Sequence, residues 1–417
     1  MYDLKISISS VKYFVFLLLI YLFIYNPPFA SLPISIMEIL LIIGCVYLSI
    51  QKKWLILASD FKGELLIFFI IITYCLAREF FGSSIFFRVN IFFLTQTIFL
   101  PYFLVSAYFN IKNHNNLIKD LILVGSVAAF FTLIMILLPS VADFIRYQVL
   151  KTDDFTELVS FRSFGLSEGL TFAFGTAQGI IFALALFNAK KNPSYYFLLP
   201  LLLLSIIFNA RVGLVPVLFS LVYFTVLKLN IKLLLVIALI TILFYLVIFQ
   251  TSLFKDYAQT IEWAFDFFLQ SSDFISGQST ADTNTFDTLF GRMAVLPTDI
   301  NGWIFGSGEN IFTSEQNNSD IGYLIQLNYG GITYLILLFS LVFYMLFRMR
   351  IINKQYRWLI LLFAITILLS NVKGLFIAII PSFRLIALIY VYLILERKNK
   401  QLDAQISNDD LLNHIHG

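Results

Sequence analysis

Three carboxylates and a set of arginines are the side chains best suited to chemistry in this chain. Asp320 closes a polar run, "NNSD", and the chain turns apolar at once through "IGYLIQLNYGGI", staying so to Phe347. Ser319 or Asp320 at that boundary can cap a helix, accepting amide hydrogen bonds and complementing the helix dipole. A carboxylate there can also take a proton from an attacking hydroxyl. The two roles are compatible, because capping would hold the acid still. Tyr323, one turn on, offers a stacking or hydrogen-bonding platform. Glu168 in "RSFGLSEG" and Glu309 in "FGSGEN" are rival bases. His114, His414 and His416 lie in segments expected on the opposite side, so acid–base work falls to carboxylates or tyrosines.

The elements that must hold these residues are membrane helices. Of 417 residues, 59% are hydrophobic and 13% charged, with a mean hydropathy of +0.88. A soluble domain carries about a quarter charged residues, so a soluble reading is excluded. A bilayer core of about 30 Å requires about 20 apolar residues per helix. Twelve segments qualify with their aromatic flanks: Val11–Tyr25, Ile34–Ile50, Glu64–Leu76, Asn90–Tyr108, Leu121–Leu138, Gly169–Phe187, Tyr195–Phe208, Gly213–Leu227, Ile231–Ile248, Ile321–Phe347, Trp358–Leu369 and Leu375–Leu395. The expectation is an all-α, polytopic integral membrane protein forming one domain over residues 1–417. Two long outer loops, 139–168 and 250–319, and a polar cytoplasmic tail, 396–417, complete it. In the second loop, Tyr257, Ile261, Ala264, Phe265 and Phe268 share one helical face, which suits a helix lying on the membrane or covering the bundle.

The cations set the orientation. With both termini in the cytoplasm, 18 of the 28 lysines and arginines fall in inner segments, as "QKKW", "NAKKN" and "ERKNK" show. The other ten are Arg78, Arg88, Arg146, Lys151, Arg162, Arg211, Lys255, Arg292, Lys373 and Arg384, seven of them arginine. Guanidinium binds phosphate through a two-pronged contact that lysine cannot make, so the outer arginines suit a phosphate-bearing ligand. Snorkelling and local pairing, as of Arg78 with Glu79, are the plainer use. Arg384, inside the last apolar segment, and Arg211, between two segments, sit where a cation is costly and usually functional. Arg146 lacks the adjoining "SFG" of Arg162 and is expected to tolerate lysine. Neither a phosphate-loop lysine pattern nor paired-cysteine spacing is present, and the +3 net charge is too small to imply nucleic-acid binding. No cofactor and no metal are expected.

Several short motifs carry a resemblance. The chain has "NPPF" after the first segment, "RSFGLSEG" closing an outer loop and "NARVGL" at a helix boundary. "FGRM", "IFGSG" and "SDIGYLIQLNYGG" then lead into a late segment. With about twelve spans, this resembles the bacterial O-antigen polymerases (Wzy-type) within the wider polymerase and ligase membrane family. The resemblance implies polymerisation of undecaprenyl-pyrophosphate-linked oligosaccharide repeats into O-antigen or capsule-type polysaccharide at the outer face of the plasma membrane. Lipid-linked repeats would be both donor and acceptor, membrane lipids the surroundings, and a chain-length regulator and a flippase the partner proteins. Asp320, Arg211, Arg292 and Arg162 would then be catalytic, and Arg88, Arg384, Glu168, Tyr323 and Glu309 would bind substrate. An O-antigen ligase is the alternative, although ligases carry a histidine where Asp320 stands. A lipid-linked oligosaccharide transporter is the other, against which stand the long outer loops and the absence of an internal repeat.

Overall fold

The structure is a computed structural model and describes residues 8–80, 86–111, 116–150, 162–168, 172–225, 235, 291–308, 311–312, 318–352 and 356–416. Glu309, the segment Ile231–Ile248 and the amphipathic stretch around Tyr257–Phe268 lie outside the described residues. Among those described the elements are helical, apart from one isolated antiparallel bridge between Phe29 and Leu150.

In chain order the helices are α1 (Ile8–Tyr25), α2 (Ile36–Ile50), α3 (Trp54–Asp60), α4 (Lys62–Phe80), α5 (Phe86–Leu94), α6 (Leu100–Phe109), α7 (Leu117–Leu137) and α8 (Pro139–Phe144). They continue with α9 (Phe172–Ala189), α10 (Leu198–Ile207), α11 (Leu214–Thr225), α12 (Ile300–Phe305), α13 (Gly322–Ile352), α14 (Arg357–Ser370) and α15 (Pro381–His416). Four stretches are long and apolar enough to cross a membrane: Arg88–Phe109, Leu117–Leu137, Phe172–Ala189 and Gly322–Arg350. A fifth is possible if α2 and α3, bent by 101°, make one broken span. Ser10–Tyr25, Pro193–Ile207, Arg211–Phe224 and Arg357–Ser370 are shorter apolar helices. The structure is therefore that of an all-helical chain with several membrane-compatible helices.

Three expectations need correction. Ile321–Phe347 is not one straight span. Gly331 adopts φ 70° and ψ −176° inside α13, a backbone region open essentially to glycine alone. The fold-back there stacks Tyr323 on Phe339, ring centroids 5.8 Å apart, although a straight helix would separate those residues by about 24 Å. The last helix starts at Pro381, not Leu375, and the preceding residues form turns. Residues 396–416, expected as a polar tail after the last helix, continue that helix.

Small residues explain how the helices meet. α9 is buried along almost its whole length, and "FAFGTAQG" places glycines where it crosses the turn before α11. A Cβ at Gly175 would lie 2.8 Å from the Ala210 carbonyl, and one at Gly179 would lie 2.2 Å from that of Gly213. Such close approach is how membrane helices gain packing energy when lipid is as apolar as they are. Between α5 and α6 the helix widens into a π turn, Thr95–Phe99, which carries the buried Gln96.

Charged side chains collect at the two opposite ends of α4. Glu64 stands in its first turn and Arg78 in its last, about 21 Å apart along the axis. Arg348 of α13 and Lys398 of α15 gather at the Glu64 end with Asp60. Arg78 donates to the Gly306 carbonyl, 2.7 Å away, at the end where α12 meets the Gly331 kink.

Candidate functional site

The end of α1 begins the site. Asn26 takes a left-handed conformation, φ 40°, and two prolines follow, so the helix stops there. The Tyr25 carbonyl then accepts the Glu168 amide at 2.9 Å, and the Leu166 carbonyl accepts the Tyr21 hydroxyl at 2.8 Å. The "NPPF" and "RSFGLSE" segments are thus joined. Gly165, at φ 60°, turns the second tightly enough to lie against Ala128 of α7. "NARVGL" joins them through the Ser163 amide, which donates to the Phe208 carbonyl at 3.1 Å.

Arg384 locks this junction from α15. It is 1% exposed, and its guanidinium donates to the Ile24 carbonyl at 3.2 Å, to Gln96 Oε1 at 3.2 Å and to Glu168 Oε1. The other Glu168 oxygen accepts from Asn26 Nδ2. Burial pushes the Glu168 carboxyl above the ordinary glutamate range, opposed by the Arg384 charge and by these hydrogen bonds. Arg384 and Glu168 therefore serve each other. They form an internal brace, in which each nitrogen of the fork and both carboxylate oxygens have partners.

A second, more open cluster lies around Asp320. Ser319 fixes the turn before the helix: its Oγ accepts the Ile321 amide at 3.2 Å and donates to the Met293 carbonyl at 2.6 Å. Asp320 reaches Lys373 Nζ at 3.2 Å, and both side chains remain about one third exposed. The carboxylate is thus engaged by a cation at the helix entrance and stays partly accessible. Lys373 is delivered by the turn after α14. The Tyr323 amide donates to the Asn371 carbonyl at 3.3 Å, and a Cβ at Gly322 would strike the Gly374 carbonyl at 2.3 Å, so the two segments touch backbone to backbone.

Arg162 lies within the field of Asp320, and Arg292 and Arg211 stand on neighbouring segments. Arg292 is exposed and directly precedes Met293, the residue tied to Ser319. The Asp320 charge acts on Arg162, whose guanidinium is otherwise pushed below the usual arginine range by burial. Arg211 opens the 3₁₀ turn Arg211–Gly213, close to the Phe208 carbonyl that accepts the Ser163 amide. Arg88 stands apart at the start of α5, over the Phe92 ring and electrostatically linked to Glu38. Tyr323 faces away from the acid: its hydroxyl donates to the Leu368 carbonyl at 2.8 Å.

No family model, no curated protein and no solved structure matches this chain. Its chemistry must be argued from the arrangement itself.

Two site residues escaped the reading of the sequence. Lys373 is an isolated cation in "NVKGLF" between apolar runs, and that isolation was the available signal. Arg146 is not the inert neighbour expected. It is 5% exposed, pairs with Asp143 at 3.3 Å and donates to the Arg162 carbonyl at 2.7 Å. Among the described residues, no three His, Cys, Asp or Glu side chains gather as a metal would require.

Proposed function

We propose that this protein is a membrane-embedded glycosyltransferase that polymerises undecaprenyl-pyrophosphate-linked oligosaccharide repeats at the outer face of a bacterial plasma membrane. The product is O-antigen or capsule-type polysaccharide. In this reading the chain crosses the bilayer twelve times with both termini cytoplasmic, and the Asp320 end of the bundle faces outward. The observation that carries it is the accessible carboxylate Asp320, held beside Lys373 and within the field of Arg162 at the arginine-bearing end of an apolar bundle.

The chemistry follows from that cluster. A hydroxyl of the acceptor sugar attacks the anomeric carbon of the donor, and Asp320 accepts its proton. The new glycosidic bond forms as the bond from the anomeric carbon to the pyrophosphate oxygen breaks. The departing lipid pyrophosphate gathers negative charge, which Arg162, Arg211, Arg292 and Lys373 stabilise from fixed positions. The leaving group supplies the driving force, so no nucleotide takes part. Arg384, Glu168, Asn26 and Gln96 hold the surrounding segments in place.

Deleting the gene and resolving surface glycans on a gel tests this. A single repeat on the final acceptor marks a polymerase. Long lipid-linked chains left unattached would mark a ligase, and an absence of repeats outside the membrane would mark a transporter.

A further inference from the structure

Four buried polar atoms around one backbone turn have no hydrogen-bond partner. Asn209 is fully buried, and neither its Nδ2 nor its Oδ1 is paired. Ser163 is fully buried too, and its Oγ is unpaired. Gln178 of α9 donates its Nε2 to the Tyr25 hydroxyl at 3.0 Å, yet its Oε1 has no partner.

Packing brings the backbone segments that carry these three residues together. The Ser163 amide is bonded to the Phe208 carbonyl, adjacent to Asn209. Gln178 lies between Gly175 and Gly179, the two glycines that let α9 abut Ala210 and Gly213. Unpaired polar groups in an apolar interior are unfavourable, and native folds seldom keep one without a use. An amide unpaired on both its faces is a pronounced case. The membrane-like surroundings sharpen the argument, since lipid supplies no compensating partners.

The chemistry of the four atoms specifies what would complete them. Asn209 Nδ2 and Ser163 Oγ can donate, Asn209 Oδ1 and Gln178 Oε1 can accept, and none is charged. That set suits a neutral group that both donates and accepts, such as sugar hydroxyls or a sugar acetamido group. The cations Arg162 and Arg211 flank it in the chain, so the neutral atoms lie beside the residues assigned to pyrophosphate. We propose that Asn209, Ser163 and Gln178 form a saccharide subsite for the sugar adjoining the donor pyrophosphate. This rests on the polymerase reading above and names the residues that would select the sugar. Entry requires the Ser163–Phe208 backbone bond to open.

The test uses the full-length protein in detergent, with binding measured as a shift in melting temperature. The probes are inorganic pyrophosphate and lipid-linked repeat units from the same cells. Asn209→Leu removes both unpaired amide atoms at similar volume, so the unliganded variant is expected to melt no lower than wild type. Its affinity for the lipid-linked repeat should fall on the order of tenfold, about 1.4 kcal/mol, while its affinity for pyrophosphate stays unchanged. Equal affinity of both proteins for the lipid-linked repeat would overturn the subsite and leave a pocket satisfied by buried water. Ser163→Ala, a milder change, makes the same comparison if Asn209→Leu does not fold. Wild-type protein that binds neither probe overturns the polymerase reading itself, which is a distinct result.

Discussion

At one end of the bundle Arg384 donates to Glu168; at the other Arg348 donates to Glu64 at 2.5 Å. Each pair joins distant parts of the chain, so each braces the helices. The burial is reversed. In the first the arginine is sealed, with 2% of its side chain exposed, and the acid is a quarter open. In the second Glu64 is sealed, supported by the Tyr390 hydroxyl, and Arg348 is a quarter open and lies over the Phe61 ring at 5.5 Å. Around the Glu64 pair the further charges close on themselves, as Lys398 does with Asp60 at 2.7 Å. Around the Arg384 pair lie an accessible acid, several arginines and unpaired neutral amides. A buried ion pair alone therefore does not mark the site. Its surroundings do.

The largest expected effect separates the acids of the two ends. Asp320→Asn keeps the side-chain shape, and the Ser319 bonds to Ile321 and Met293 that fix the turn before the helix are untouched. It should nevertheless slow polymerisation by about 10²–10⁴-fold, the usual contribution of a general base. Asp60→Asn at the opposite end should leave the rate near wild type. The measurement is polymer formation from purified lipid-linked repeats at equal membrane protein. A wild-type rate for Asp320→Asn would reduce the residue to a partner of Lys373.

Next comes the brace. Glu168→Leu strands a buried guanidinium, which costs about 3–5 kcal/mol, whereas Glu64→Leu leaves Arg348 able to hydrate and should cost less. Thermal melts in detergent rank the two. The double variant Glu168→Leu/Arg384→Met should recover most of the loss, because two apolar side chains can replace a buried pair. No recovery would mean that the pair contributes more than mutual compensation.

Arg162→Lys keeps the charge but loses the fork. Loss of a charge-assisted hydrogen bond of about 1.5–3 kcal/mol corresponds to roughly a ten- to hundredfold slower rate. Arg146→Lys should approach this loss indirectly, since Arg146 holds the Arg162 carbonyl. Arg350→Lys, at the opposite end, should have no such effect. Near-normal rates for Arg162→Lys would leave only a diffuse positive field.

The helices were largely legible because apolar runs survive in the sequence whatever they pack against. Every proposed segment within the described residues overlaps a helix, although one breaks at Gly331, another becomes helical only at Pro381, and fewer meet the length of a full span. The Gly331 fold-back was not legible: "NYGGITYL" keeps its hydropathy across the break, and only the approach of the Ile304 carbonyl shows why glycine is needed. Gly331→Ala places a Cβ 2.3 Å from that carbonyl in a strained conformation and should cost about 1–3 kcal/mol in the melt. A similar alanine at Gly291, where nothing lies within 4 Å, should cost less. The site was half legible. Asp320, Arg162, Arg211 and Arg292 stand out in the sequence as charges set apart from the lysine-rich segments. Burial does not, because the partners of Arg384, the Ile24 carbonyl, Gln96 and Glu168, lie far from it in the chain. Arg146 read as inert for the same reason.

The smallest effect concerns pH and uses the quarter-open acid of the Arg384 pair. Burial raises the Glu168 pKa while Arg384 and Asn26 lower it, and burial prevails. The sign follows from proton binding. As pH rises, the unfolded chain loses this proton first, near the ordinary value of 4.5, while the folded protein still holds it. The stabilising contribution is therefore complete below that value and is lost as pH climbs through the raised folded pKa. Melting temperature in detergent should show this as a decline over that window in wild type. Glu168→Gln cannot titrate, so the decline belonging to residue 168 should vanish. The informative quantity is the difference between the two curves, since other carboxylates titrate in both. A wild-type curve that rises relative to Glu168→Gln would mean that the Arg384 charge outweighs burial, making Glu168 a permanent anion of the brace.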